Sequence, residues 1–185
     1  MEQAGRLGGR VLCAERFQRC CQHNGGGLDL CQSPSLGGWR KRGDFTNAIG
    51  RSRGGRTTKI HALTDAHGRP IALTVTPGQA HDLSGAEALL ARIATPRRLL
   101  ADRAYDARRL RDWLEARGCE AVIPPNPTRK HPHSYDRIAY RGRNVVERMF
   151  CRLKDFRRIA TRYDKRADAF LSAVFLVATL IWWLN

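Results

Sequence analysis

The sequence predicts an α/β domain built around a mixed β-sheet, and three observations lead to this fold class. Residues 56–64 and 71–76 alternate in polarity and are rich in β-branched side chains, which is typical of a β-hairpin. Short apolar strands then alternate with helical segments between residues 84 and 123. A longer amphipathic helix follows residue 140. Strands that alternate with helices form a sheet covered by helices.

The individual elements follow from local signals. Residues 66–69 supply the hairpin turn, and Pro77-Gly78 ends the second strand. Ser84 is a candidate N-cap with Glu87 three residues later, so a helix is predicted over 86–93. A brief apolar strand over 99–101 ends at Asp102.

The second half continues the alternation. A helix is predicted over 107–117, with Gly118 as its end, followed by a strand over 119–123. A basic, proline-containing loop covers 126–137. The apolar stretch 169–184 is shorter than the roughly twenty residues of a membrane span. It therefore predicts a buried closing helix in a cytoplasmic protein with no membrane partner.

The helix after residue 140 carries an unusual polar face. At about 100° per residue, Tyr140, Arg143, Glu147 and Lys154 lie within about 40° of one line. A separate apolar sector predicts the buried face: Val145, Val146, Met149, Phe150, Leu153 and Phe156. One carboxylate among cations suits a metal ligand beside a phosphate-binding surface. The alternative is an ordinary solvated glutamate that forms salt bridges.

Charge and cysteine usage limit the function classes. The 185 residues include 33 Lys and Arg against 17 Asp and Glu, a formal charge of +16, which indicates a polyanionic partner. Charge alone indicates nucleic acid and does not separate an enzyme from a simple binding protein. The six cysteines lack paired C-x2-C spacing, so a zinc site is not expected.

Three segments in order resemble one protein family. The spacing Y-x2-R-x3-E-x6-K from Tyr140 to Lys154, the segment RLLADRAYD at 98–106, and GGRTTKIHALTD at 54–65 resemble bacterial insertion-sequence transposases of the DDE type. They are most similar to the insertion-sequence-five branch. The resemblance covers Asn47 to the C-terminus, about three quarters of the chain.

The resemblance implies a ribonuclease-H-like fold and metal-dependent DNA chemistry. Asp102 and Glu147 are the implied catalytic residues and metal ligands, with Mg²⁺ or Mn²⁺ as cofactor. Water would first cleave the transposon end, and the freed 3′ hydroxyl would then attack target DNA. The implied partners are transposon-end and target DNA, and a second copy of the chain in a synaptic homodimer.

Basic residues are expected to contact the DNA backbone. Arg143 could grip a phosphate with its planar guanidinium, and Lys154 could act as a point charge. Tyr140 is either a DNA contact or a half-buried ring with a solvated hydroxyl. Arg56 and Lys59 are further expected phosphate contacts, as are the basic side chains of the proline loop at 129, 130, 131 and 133.

Structural roles are predicted for two side chains that lie close in sequence to the predicted site residues. His61 shares a sheet face with Lys59 and is predicted to be an ordinary surface histidine rather than a ligand. Asp106 follows Asp102 by four residues, and we expect it to cap the next helix rather than bind metal.

Residues 1–42 differ in character from the predicted catalytic domain, residues 43–185. They show neither strand nor helix periodicity, so this head is expected to be irregular and the domain to lack a proper first strand. The family pattern requires an aspartate at the end of that strand. Asp29 and Asp44 are the available candidates, and neither ends an apolar run.

A shifted reading frame would explain the head. The codons permitted for residues 27–41, read one base later, can encode Asp-Ser-(Ile or Thr)-x-Ala-Lys-Val-His-Arg-Ser-Ala-Ala-Gly-Gly-Lys. That translation resembles the missing family segment. The frames would rejoin near residues 39–43. The hypothesis is tested by the nucleotide sequence of the first 45 codons.

Three functional interpretations therefore stand after sequence analysis. The first is the catalytic portion of an insertion-sequence transposase, inactive as written if the first aspartate is absent. The second is a basic DNA-binding remnant without catalysis. The third is a nuclease on the same fold without strand transfer.

Overall fold

The computed structural model describes residues 10–18, 47–52 and 55–184, with side chains described for 47–50 and 56–184. The strands are β1 (Arg10–Gln18), β2 (Gly50–Ser52), β3 (Gly55–Thr64), β4 (Pro70–Pro77), β5 (Arg98–Ala101) and β6 (Glu120–Val122). The helices are α1 (Asp82–Leu90), α2 (Arg108–Glu115), α3 (Arg137–Tyr140), α4 (Asn144–Lys154), α5 (Arg157–Ala160) and α6 (Ala167–Trp182). Two 3₁₀ turns, Arg103–Tyr105 and Arg141–Arg143, precede α2 and α4.

All six strands form one mixed sheet, as the sequence predicted. The order is β2-β3-β1-β5-β6, and β4 also pairs with β3. β3 is antiparallel to β1, β2 and β4, whereas β5 is parallel to β1 and β6. A central strand that joins an antiparallel hairpin to a parallel pair is the arrangement expected for a ribonuclease-H-like domain.

The sequence analysis expected the domain to lack a proper first strand, and this expectation is wrong because β1 occupies a place within the sheet. β1 lies between β3 and β5, pairing Val11 with Thr64 on one side and with Leu100 on the other. The backbone groups of β3 and β5 on those sides need hydrogen-bond partners, and the apolar start of β1 supplies a strand there. Residues 19–46 lie outside the described residues, so the boundary at residue 42 and the shifted frame remain predictions.

Helices pack on both faces of the sheet and create two buried clusters. One cluster lies between the sheet and α4 and α6, and includes Ile60, Val146, Phe150 and Phe170. The other lies beneath α1 and α2, with Leu89, Leu99 and Leu114 among its members. The face that carries the sequence-predicted polar residues of α4 points away from the first cluster.

Some predicted boundaries and roles are corrected. α1 begins at Asp82 with His81 as its N-cap, four residues before the predicted start, and Ser84 lies in the first turn. Phe156 is 39% exposed because α4 ends at Lys154, which takes Phe156 out of the apolar stripe. Gly118 has a φ of 65° and ends the segment after α2 as expected.

One buried arginine fastens the segment before β2 to the C-terminal half. Arg162 is 2% exposed and donates hydrogen bonds to the carbonyl oxygens of Asn47 and Ala48. It also contacts the hydroxyl of Thr58, and its guanidinium lies 4.8 Å from the centroid of the Phe170 ring. Residues 47–48, where the family resemblance begins, are thereby tied to the segment that precedes α6.

The apolar C-terminal helix closes the first cluster. Phe170, Val174, Val177 and Ala178 are buried, as predicted, whereas Trp183 is 56% exposed. Among the helices of the described residues, none is long and apolar enough to cross a membrane.

Candidate active site

Asp102 lies directly after β5, where the strand passes into a 3₁₀ turn. Its side chain caps that turn, because Oδ1 accepts a hydrogen bond of 2.9 Å from the backbone N–H of Ala104. The residue is half-buried. Burial is the main cause that raises the pKa of its carboxyl above the usual value. The negative charge of Asp82 acts in the same direction, against the hydrogen bond from Ala104 and the positive charge of Arg143.

Glu147 lies on the exposed face of α4, as the helical spacing predicted. Its Oε1 is 2.5 Å from an Nη of Arg143, one turn earlier. The glutamate side chain is 57% exposed and the arginine side chain 20%. The Arg143 guanidinium also lies 5.6 Å from the centre of the Tyr140 ring. Tyr140 therefore helps to fix the arginine that holds the glutamate.

Arg143 brings the two predicted carboxylates into one neighbourhood. It contacts Glu147 directly, and its charge lowers the proton affinity of Asp102. The 3₁₀ turn that carries Arg143 packs beside β5, since a Cβ on Gly142 would lie 3.6 Å from Leu100 Cδ2. The end of β5 and the start of α4 thus form one open, mixed-charge surface.

Tyr140 is half-buried, and its contact with DNA remains a prediction. Its ring packs edge-on against Tyr135, with 5.7 Å between the ring centroids. Lys154 and Arg56 lie at the end of α4 and near the start of β3, half-buried and exposed respectively. Their contact with DNA remains a prediction.

The prediction that Lys59 contacts phosphate is wrong. Its side chain is only 4% exposed, and Nζ donates 2.6 Å hydrogen bonds to Asp82 Oδ1 and to the carbonyl oxygen of Ala80. The ammonium therefore joins β3 to the first turn of α1 within the protein. Sequence reasoning missed Asp82 because its partner lies 23 residues away on another element.

The prediction that His61 is a surface residue is also wrong, because the side chain is fully buried. Its Nε2 lies 2.7 Å from Thr76 Oγ1, and Nδ1 has no hydrogen-bond partner. The ring packs directly on Gly85, where a Cβ would come within 2.4 Å of it. Burial, aided by the charge of Lys59 and opposed by that of Asp82, lowers the pKa of His61 to about 4. The imidazole is therefore neutral at pH 7.

Asp106 does not cap the following helix. Its carboxylate, 1% exposed, accepts hydrogen bonds from Arg111 Nε at 2.7 Å, Arg129 Nε at 3.0 Å and the backbone N–H of Asn126 at 2.7 Å. Burial opposes ionisation, but these hydrogen bonds prevail and hold the pKa of Asp106 below its ordinary value. Arg129 consequently anchors the proline loop, while Lys130, His131 and His133 remain exposed.

Asp102 and Glu147 are the right type of ligand for a divalent cation, but two carboxylates do not form a complete set of ligands. Mg²⁺ prefers carboxylate oxygens, and the surroundings of Asp102 oppose its negative charge, which an added cation would relieve. Glu147 faces solvent and is paired with Arg143, which a cation would have to replace. Within the described part of the chain, no group of three or more His, Cys, Asp and Glu side chains could hold a metal ion.

Comparison with known proteins defines the family. The family model described as a transposase DDE domain matches residues 27–183. The chain is 39% identical over 127 residues to the protein named as transposase for insertion sequence element IS6501 of Brucella ovis, covering 68% of this chain and 98% of the relative. It is 33% identical over 156 residues to the protein named as transposase for IS402 of Burkholderia cepacia, covering 78% and 71%.

A solved structure agrees on the fold. The simian T-cell lymphotropic virus intasome, in complex with the PP2A regulatory subunit B56 gamma, superposes with a TM-score of 0.51 at 13% identity. The match covers 98% of this chain and 51% of the intasome chain, so this chain spans about half its length. At that identity the likeness bears on the ribonuclease-H-like fold alone. By its family match and its relatives, the chain belongs to the DDE transposases of bacterial insertion sequences.

Proposed function

We propose that this chain is the catalytic portion of a transposase, and that the intact enzyme binds transposon-end DNA and performs metal-dependent strand cleavage and transfer. Asp102 and Glu147 are its catalytic carboxylates and would hold Mg²⁺ or Mn²⁺. The observation that supports this assignment is Arg143, which contacts Glu147 and acts electrostatically on Asp102. Arg143 thus interacts with two carboxylates that lie 45 positions apart in sequence.

The cations, when bound, would activate the attacking oxygen and stabilise the leaving oxygen of the phosphodiester. Binding of Glu147 to such an ion would release Arg143 from its salt bridge. The guanidinium, held against the Tyr140 ring, would then be available for a phosphate oxygen. The same group would therefore serve as counter-ion before substrate binding and as phosphate contact afterwards.

DNA is proposed to cross the surface between the end of β5 and α4. Lys154 lies two turns beyond Glu147 and Arg56 lies near the start of β3. The formal charge of +16 supports a long-range attraction for a polyanion, which salt should weaken. A second copy of the chain and the bacterial cytoplasm are the proposed partner and location, because a transposase must pair two ends of chromosomal DNA.

The chain as written is proposed to be weak or inactive. β1 takes the place of the first strand, and its sequence RVLCAERFQ contains no aspartate. With two protein carboxylates, both the affinity for metal and the geometry of the ion cluster should suffer. This observation favours the second candidate function, a basic DNA-binding remnant that has the shell of the domain without catalysis.

A nicking assay separates these functions. The full chain is incubated with a duplex that carries the inverted repeat flanking its gene, with Mg²⁺ or with EDTA. We expect salt-sensitive binding and at most slow Mg²⁺-dependent nicking. Rapid nicking would contradict the proposed inactivity, whereas the absence of DNA binding would contradict both functions.

Glu147→Gln provides the control for catalysis. It should abolish any nicking and leave DNA binding nearly unchanged, since it removes a metal ligand and retains the shape of the side chain. Arg148→Gln alters an exposed neighbour on the same helix and should leave nicking in place. Equal loss of binding and nicking in Glu147→Gln would indicate a structural glutamate instead.

A further inference from the structure

The C-terminal helix α6 carries apolar side chains on both its inner and its outer face. The inner face is buried in the cluster that includes Phe170. On the outer face, Leu176 is 63% exposed, and Trp183, the C-cap, is 56% exposed. Residues 169–184 contain no charged side chain. A helix that is apolar all round is normally buried, whereas the outer face of α6 meets solvent in the single chain.

The outer face of α6 forms a narrow stripe. At about 100° per residue, Ala169, Ser172, Leu176, Leu180 and Trp183 lie within about 40° of one line, and all five are exposed. Successive members are three or four residues apart. This spacing is typical of a helix that packs along its length against a second helix.

Side-chain size along the stripe fits an antiparallel second copy. Ala169 and Ser172 are small, whereas Leu180 and Trp183 are large, and Leu176 lies midway between them. When two copies of the helix lie antiparallel with Leu176 facing its own counterpart, Trp183 lies opposite Ala169 and Leu180 opposite Ser172. Large side chains then face small ones, as close packing requires. The stripe is therefore complementary to itself, which a twofold interface demands.

The charges at the two ends of the stripe are balanced. Beside Trp183, the Arg69 guanidinium lies 5.5 Å from the ring centroid and forms a 2.7 Å ion pair with Asp65. At the start of α6, Arg166 is paired with Asp168. DNA favours surfaces with excess positive charge, and this surface has none to offer. In the antiparallel arrangement, Asp168 of one copy approaches the end where Arg69 of the other lies, so opposite charges meet.

A groove beside α6 enlarges the apolar surface. Phe156, which is 39% exposed, lines this groove together with Leu180 and Ile181. Arg152 and Asp155 add one charge of each sign to it. A standard interface buries about 800 Å² on each partner, and the groove adds area on the same side of the molecule as the stripe.

From these features we infer that α6 docks against α6 of a second copy of this chain, antiparallel and around a twofold axis near Leu176. The stripe supplies the apolar contact, and the size and charge of its two ends set the direction. The inference rests on the proposed function in so far as that function requires two copies, and it names the surface that joins them. It concerns association alone, so it is tested without DNA or metal.

The mass of the full chain in solution tests the association. Analytical ultracentrifugation over a range of protein concentrations should give twice the chain mass for the parent. Leu176→Glu places two carboxylates face to face at the proposed axis. We expect it to raise the dissociation constant of the dimer by about a hundredfold, because like charges that meet at an interface are strongly unfavourable.

Ile138→Glu is the matched control. Ile138 is an apolar residue of α3 that is 82% exposed and lies outside the stripe. The same replacement there adds the same charge to the chain, and it should leave the dissociation constant unchanged. Circular dichroism of both variants verifies that the fold is retained.

Disulfide cross-linking tests the direction of the two helices. Leu176→Cys should form a dimer with itself on oxidation, since residue 176 faces its own counterpart. Ser172→Cys and Leu180→Cys should cross-link efficiently when the two variants are mixed and weakly when each is alone, because they lie opposite each other. Electrophoresis without reductant measures the yields, with the parent chain as the reference for its own cysteines.

Each outcome has a defined meaning. A parent chain that stays monomeric, or a dimer that Leu176→Glu does not weaken, overturns the inference and leaves the proposed cleavage chemistry intact. Cross-linking of Leu176→Cys without cross-linking of the mixed pair overturns the antiparallel register. If Leu176→Glu misfolds, the uncharged Leu176→Cys variant still decides, since its failure to cross-link above the parent level overturns α6 as the contact. A dimer that neither binds nor nicks DNA contradicts the proposed function instead.

Discussion

Two ion pairs each contain a residue whose charge acts on Asp102, and the pairs differ in burial and in reach. Lys59–Asp82 joins a strand to a helix 23 residues later, with side chains 4% and 24% exposed. Arg143–Glu147 joins neighbouring turns of one helical segment, with side chains 20% and 57% exposed. The first pair is fixed within the fold, whereas the second lies at the surface, where solvent reaches the glutamate. The difference separates a pair that ties two elements together from one that can respond to its surroundings.

The buried pair should show the largest stability effect. Asp82→Ala leaves the Lys59 ammonium buried without its carboxylate, so we expect the free energy of unfolding to fall by about 3 kcal/mol. Chemical denaturation followed by circular dichroism measures this change. The double replacement Lys59→Met with Asp82→Leu should cost about 1 kcal/mol or less. A single variant as stable as the parent would remove the distinction between the two pairs.

Asp106 extends the comparison to a third carboxylate, which is buried between Arg111 and Arg129. Because its folded pKa is depressed, its stabilisation is present above the unfolded value of about 3.9 and is lost as pH falls through the folded pKa. Asp106→Asn keeps the shape of the side chain but removes charge-assisted hydrogen bonds, so it should cost about 2 kcal/mol at pH 7. Denaturation at a series of pH values should show that this difference shrinks under acidic conditions; a constant difference would contradict the ionic origin.

Two glycines test the packing of α1 on β3 and of the second 3₁₀ turn on β5. At Gly85 a Cβ would lie 2.4 Å from the His61 ring, so Gly85→Ala should destabilise by about 1–3 kcal/mol. At Gly142 the nearest atom would be 3.6 Å away, so Gly142→Ala should change stability by about 0.5 kcal/mol or less. Thermal unfolding compares them. Equal costs would show that the exposed side is packed as tightly as the buried one.

Sequence patterns predicted the parts of this molecule that depend on local periodicity. The hairpin of β3 and β4, the exposed face of α4 and the pairing of Glu147 with a basic neighbour all follow from spacings of two, three and four. Asp102 was identified because residues 98–106 resemble a family segment in which an apolar strand runs into Asp-x-x-Tyr-Asp. In each case the signal lies within one or two adjacent elements.

Contacts between distant elements were not predictable in this way. Lys59 and His61 lie on the same face of a strand whose alternating pattern is typical of a surface hairpin. They are buried because α1 covers that face. The role of Asp106 depends on Arg129 from a loop without periodicity. β1 was overlooked because its polar residues obscure the strand pattern, whereas pairing with β3 and β5 determines its conformation.

The exposed pair should show the smallest stability effect. Glu147→Gln and Arg143→Gln are each expected to change the free energy of unfolding by about 0.5 kcal/mol or less, as for other exposed pairs one helical turn apart. Arg143→Gln should nevertheless reduce the salt dependence of DNA binding by about one phosphate contact. Fluorescence anisotropy at several salt concentrations measures this slope. An unchanged slope would remove Arg143 from the DNA interface.

The central claim is that Asp102 and Glu147 receive the same ion cluster. Nuclear magnetic resonance of the isotopically labelled chain during Mn²⁺ titration tests it directly, because bound Mn²⁺ broadens the signals of nearby amides. We predict that the amides of residues 102–105 and 144–148 broaden together, and that Asp102→Asn suppresses both effects. Broadening confined to one of the two segments, or centred on other acidic residues such as Asp112 and Glu115, would contradict the claim.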